Sequence, residues 1–191
     1  IEYFEQVVQK YADSEYYAPA LKNSAWCYDR LQESDKALKA FNTYIQAYPS
    51  AEDKNQIKLQ IARLYLENGQ EQQAISQFTE LQKVPATDIS MEACYRLGML
   101  YLSKNEANKA ETAFRQALPE QGGDNYYRLS SLAQLAALYE NQGNSQKAIS
   151  TYQVLAASTS EEKWTAAAQE RIDLLKIMLN DFDDGRSKNF Y

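Results

Sequence analysis

Few residue types in this chain could do chemistry. It has no histidine and only two cysteines, Cys27 and Cys94. A structural zinc site needs four thiolate or imidazole ligands, usually in closely spaced pairs, so zinc is not expected. Both cysteines lie inside helical patterns far apart in the sequence, and they read as small half-buried or buried hydrophobes rather than a disulfide. The segment NDFDDG holds Asp181, Asp183, Asp184 and Gly185. Its oxygen ligands are out of step with a calcium loop and no bidentate Glu follows, so it reads as a polar helix end. With no Gly-rich phosphate loop either, no catalytic residue, cofactor site or metal site is expected, and an enzyme is not the expected class.

Fifteen tyrosines are the other conspicuous feature. Aromatic rings stack on nucleic-acid bases, but a net charge of −6 opposes a phosphate-binding surface. Tyr16-Tyr17 and Tyr126-Tyr127 therefore read as packing residues at helix starts. No apolar run is long enough to cross a membrane. The sequence opens at Ile1 within a helical pattern, which reads as a fragment or a processed form.

The elements that must position these residues are helices. Strong helix formers dominate, and there are only six glycines and four prolines. The stretch CYRLGMLYLSKNEANKAETAFRQAL (94–118) has quieter counterparts elsewhere. Tyr28, Ala37 and Phe41 recur as Tyr65, Ala74 and Phe78, then Tyr101, Ala110 and Phe114, then Tyr139, Ala148 and Tyr152, at intervals of 36 to 38 residues. Each unit contains two amphipathic helices. Gly69, Gly143 and Asn105 fall where the first helix needs a left-handed residue to close a tight turn. The alanines, with Ala62, Gly98 and Ala136 opposite them, let the two helices approach closely, and the aromatics fill the wedge between successive pairs.

These residues, with Leu97-Gly98 and Ala117, resemble the tetratricopeptide repeat, whose period is about 34 residues. The resemblance implies an all-α fold, a right-handed α-solenoid. About four full repeats are expected, with a second helix of a truncated repeat at 1–15 and repeats at 16–52, 53–88, 89–124 and 125–160. A capping helix at 161–181, with Trp164 packed inward, and a polar tail at 182–191 complete the array. The longer period and the Tyr48-Pro49 helix end are similar to bacterial envelope members: outer-membrane assembly lipoproteins and periplasmic cell-division coordinators. That likeness implies a periplasmic or envelope location.

In this family the first helices line a concave groove that takes peptides or partner helices. Counting around each first helix from its Tyr nominates Lys22, Trp26, Asp29 and Arg30; Leu59, Arg63 and Leu66; Tyr95, Arg96, Met99 and Leu102; and Ala133 and Ala137. Trp26, Leu59, Tyr95 and Met99 would be apolar anchors, while Lys22, Arg63 and Arg96 would pair with acidic groups. The alternative is that the long linkers rotate the repeats and bury some of these residues. Some co-chaperone members hold a C-terminal carboxylate with Lys, Asn and Arg, but here Trp26 stands where that clamp has Asn and Glu92 where it has Lys. The expected function is a non-enzymatic scaffold or adaptor with a protein or peptide partner, in a larger bacterial protein. The other reading is a solenoid segment for spacing or oligomerisation, self-associating through the open N-terminal half repeat near Phe4 and Val7.

Overall fold

The computed structural model describes residues 1–85, 87–119 and 124–187, with the backbone alone for 181–187. Ten helices occupy the described residues: α1 (Glu2–Lys10), α2 (Tyr17–Arg30), α3 (Ser34–Ala47), α4 (Lys54–Glu67), α5 (Glu71–Leu81), α6 (Asp88–Ser103), α7 (Ala107–Gln116), α8 (Tyr126–Asn141), α9 (Ser145–Ala157) and α10 (Glu162–Ser187). There is no strand among them. The fold is an all-α helical repeat solenoid. Two compact units divide it, Ile1–Leu81 and the chain from Gln82 onward.

In the first unit α2 packs on α3 and α4 on α5, with α1 against α2. In the second, α6 packs on α7 and α8 on α9, and α10 lies against α9. The pairing follows from a turn that recurs four times. The N–H groups of Glu33, Gln70, Glu106 and Asn144 donate to the carbonyls of Tyr28, Tyr65, Tyr101 and Tyr139, at 2.8–2.9 Å. This is the six-to-one bond that ends a helix on a left-handed residue. That residue is Gly69 (φ 70°), Asn105 (φ 58°) or Gly143 (φ 71°), and in the first pair Gln32 (φ 59°), which carries no glycine or asparagine signal.

Packing explains the rest of the repeated pattern. Ala37, Ala74, Ala110 and Ala148 are fully buried, as are Ala25, Ala62 and Ala136. Phe41, Phe78 and Phe114 have no exposed surface, and Tyr152 is buried. A further regularity accompanies the tyrosines: the ammonium groups of Lys36, Lys109 and Lys147 lie 5.2, 5.4 and 5.2 Å from the ring centroids of Tyr28, Tyr101 and Tyr139. Each lysine immediately precedes the close-packed alanine, so one turn of the second helix supplies both a cation for the ring face and a small surface for the crossing.

Two hydroxyls in this set have carboxylate partners. Tyr28 donates to Glu5 of α1, and Tyr139 to Glu111 of α7 at 2.7 Å. The Glu5 bond, then burial, pushes the Tyr28 phenol up to about 12. These tyrosines are held by the fold.

The cysteines are free. Cys94 is buried, and desolvation pushes its thiol up to about 11, so it is a poor nucleophile at neutral pH. Helix α10 continues to Ser187, into the segment expected as a polar tail from 182. The side chains of Asp181, Asp183 and Asp184, and the tail from 188, lie outside the described residues.

Candidate partner-binding faces

In the first unit the nominated residues are largely engaged with one another or with the core. Trp26 is half-buried, its ring edge-on to Phe41 at 5.0 Å between centroids. Lys22 Nζ donates to Asp53 Oδ2 at 2.8 Å, and the Tyr44 hydroxyl donates to Asp53 Oδ1 at 3.0 Å. These bonds hold the Asp53 carboxyl below its ordinary range and the Lys22 ammonium above its own. Across α2 and α4, Gln60 donates to Asp29 at 3.0 Å and Arg63 donates to Gln60 at 3.2 Å. Arg30 is exposed at the end of α2.

Leu59 corrects the face count. It is 2% exposed, so it is a core residue and offers nothing to a partner. The reason is that α4 touches both α3 and α5. Ile57, Leu59, Ile61, Ala62 and Leu64 are all buried, so burial covers more than one stripe and counting from a single face fails.

The first unit also has a cleft of about 520 Å³ between α1, α2 and α3. Val8, Leu21 and Ala40 line it, and the Tyr28–Glu5 bond lies in its wall.

The second unit presents a different surface. Tyr95 is half-buried on α6, 6.3 Å from the fully buried Phe114 and 5.8 Å from Tyr127, between ring centroids. Tyr127 meets Tyr126 edge-on at 5.3 Å, and Tyr126 meets Trp164 at 6.2 Å. A ladder of rings thus runs from the core to solvent, where Tyr126 is 58% exposed. Three helix starts bring it together. The Asn125 side chain accepts from the N–H groups of Tyr127 and Arg128, capping α8. Its Nδ2 donates to Asp88 at the start of α6 at 2.7 Å, tying the two helices at that end. Trp164 occupies the first turn of α10, with Lys163 Nζ 5.0 Å from its ring.

On α6, Met99 is 38% exposed one turn beyond Tyr95. Arg96 donates from Nε to the buried Glu92 at 2.6 Å. Tyr126, Tyr127 and Trp164 were absent from the face count; the Tyr126-Tyr127 doublet and a tryptophan near the start of the capping helix were their only sequence signals. Exposure of Tyr126 and Tyr16 contradicts the expectation that both are packing residues. Trp164 packs, partly buried, against the second core and still reaches the ladder.

Models of the tetratricopeptide repeat match residues 20–51, 92–118 and 131–163. The chain belongs to the tetratricopeptide-repeat family. Solved structures with a similar fold include MamA protein, with 19% identity over 91% of this chain and 88% of that one, at a TM-score of 0.64. The C-terminal part of a tetratricopeptide-repeat protein from Cytophaga hutchinsonii gives 18% identity, 90% and 65% coverage, and a TM-score of 0.68. The apo form of the quorum sensor NprR from B. thuringiensis gives 18%, 84%, 47% and 0.62. No curated protein matches the sequence.

Tetratricopeptide repeats are protein-interaction scaffolds, and protein partners are what this fold supports. Within these repeats, Lys22 and Arg96 already hold carboxylates of the chain itself. A carboxylate clamp would have to displace Asp53 from Lys22. Among the described residues, no helix is long and apolar enough to cross a membrane.

Proposed function

We propose that this chain is a non-enzymatic scaffold that holds a partner polypeptide on the first helices of its tetratricopeptide repeats, within a larger bacterial, cell-envelope protein or complex. The observation that carries the reading is the ring ladder of the second unit, in which the exposed Tyr126 at the start of α8 meets Trp164 in the first turn of α10. Aromatic side chains of this kind dominate the energetics of protein interfaces. Tyr95, Arg96 and Met99 form the predicted part of the face, and Trp26, Lys22, Arg30 and Arg63 the corresponding part of the first unit. The envelope location rests on the long period and the Tyr48-Pro49 helix end alone. Substituting Tyr95 and Tyr126 together by alanine is expected to abolish capture of the partner from native extract while the helical content stays unchanged. Undiminished capture by that variant would refute the assignment.

A second reading, contact between copies, is favoured by two apolar surfaces. No residue of α1 is buried, and Tyr3 is exposed on it. Helix α10 exposes Leu174, Ile177 and Met178 on one side. Exposed apolar groups clustered in this way mark contact surfaces. Light scattering over a concentration series is expected to show the mass rising with concentration if this reading holds. A monomer throughout would remove it.

A further inference from the structure

Helix α1 repeats the pattern of α3, and the repeat itself shows what kind of helix covers such a face. Phe4 stands where α3 has Phe41, and Val7 where it has Tyr44. Phe41 and Tyr44 are buried, whereas Phe4 and Val7 are only partly so. Ile1 and Val8 pack against the first core. Tyr3, Phe4, Val7 and Tyr11 fall on a separate stripe at helical spacing.

In complete pairs that stripe lies under the preceding first helix. Phe41 meets Trp26 of α2 edge-on at 5.0 Å, and Phe114 lies against Gly98 and Tyr95 of α6. Thus α3 packs on both α2 and α4, and α7 on both α6 and α8, whereas α1 packs closely on α2 alone. The face of α1 is shaped for a helix in the first-helix position.

Helix α10 has the opposite shortage. It follows α9 as α8 follows α7, in the first-helix position. However, α8 packs on both α7 and α9, while α10 packs closely on α9 alone. It buries Ala168, Ile172 and Leu175 on one side and exposes Leu174, Ile177 and Met178 on the other. Resting on the second reading above, contact between copies, we infer that α10 of one copy docks on α1 of the next and completes a helix pair with it.

The docked helix continues the stacking that the chain already forms, and the charges beside the two stripes agree. Paired helices joined by tight turns run antiparallel. At about 100° per residue, Lys10 and Asp173 lie on the same edge of their respective stripes, and facing antiparallel helices bring like edges together. The pairing therefore sets Lys10 of one copy beside Asp173 of the other. Because the two faces differ, the contact is heterologous, and each copy carries one face of each kind.

The test is sedimentation equilibrium of the full chain over a concentration series, with Tyr3→Glu and Ile177→Glu as separate variants and as an equimolar mixture. Tyr3 is 83% exposed and Ile177 57%, so their replacement leaves the fold intact, as circular dichroism will verify. The unmodified chain is expected to gain mass with concentration. Each variant alone should associate about tenfold more weakly, because a carboxylate then enters an apolar contact. The mixture should recover the affinity as a heterodimer, since Tyr3→Glu supplies an intact α10 and Ile177→Glu an intact α1. Lys10→Glu and Asp173→Lys, each weakening alone, should restore association when combined in one chain. A variant that associates undiminished, or a mixture no tighter than its components, overturns this inference while contact between copies stands. An unmodified chain that stays monomeric throughout overturns both, and leaves the partner-binding reading to its own test.

Discussion

Replacing Phe114 by alanine lowers the stability of the second unit by about 3–5 kcal/mol. The ring is completely buried and belongs to the core formed with Ala110, Leu132, Ala136 and Tyr139. It also supports Tyr95 at the inner end of the ladder. Removing it takes away the transfer free energy of a phenyl group and opens a cavity that packed helices on both sides cannot close. Urea-induced unfolding followed by circular dichroism should show this as an earlier transition. A loss below about 1 kcal/mol would mean that the helices collapse into the space, contrary to the packing described.

The second large effect has a sign that separates two explanations. Gly98 lies inside α6, where helix propensity alone favours Gly98→Ala by about 1 kcal/mol. A Cβ built there, however, would sit 2.3 Å from Phe114 Cε1, 2.5 Å from Cδ1 and 2.7 Å from Cζ. Those are ring atoms of a side chain with no free space around it, so the two helices must separate. Overpacking of this kind costs about 3 kcal/mol, which outweighs the propensity gain. Gly98→Ala is therefore expected to destabilise. Combined with Phe114→Leu, which frees the space beside the new methyl, it should cost much less than the two changes summed, because the residues share one contact. A stabilised Gly98→Ala protein would contradict the close approach of α6 and α7.

Both effects concern positions visible in the sequence, and the reason is physical. Every helix pair solves the same contact problem, so Tyr, Ala and the aromatic recur at fixed offsets and the fold can be read from their period. Gln32 shows where that reading stops. The six-to-one bond from Glu33 to Tyr28 imposes the left-handed turn without a glycine or asparagine to announce it. Leu59 shows a second limit, since counting faces assumes one buried stripe and α4 has neighbours on both sides.

The ladder was the least legible part. Tyr95 could be nominated because it lies on a first helix, where counting around from the repeat tyrosine reaches it. Its partners come from the starts of α8 and α10: the Asn125 cap and its bond to Asp88 fix the start of α8 against that of α6, and Tyr126 meets Trp164 of α10. That meeting occurs once, so no period encodes it. The ion pairs divide in the same way. Arg96 and Glu92 are one helical turn apart and pair as any such spacing allows. Lys22 on α2 and Asp53 just before α4 are separated in sequence by all of α3, and only the fold joins them.

The central claim is that the ladder face, rather than the structural cores, carries the function. Its most direct test compares native-extract capture by the unmodified chain and by the Tyr95→Ala, Tyr126→Ala variant, at equal helical content. The account predicts a polypeptide retained by the first and lost from the second. The same polypeptide retained equally by both would contradict it and direct attention to the exposed surfaces of α1 and α10.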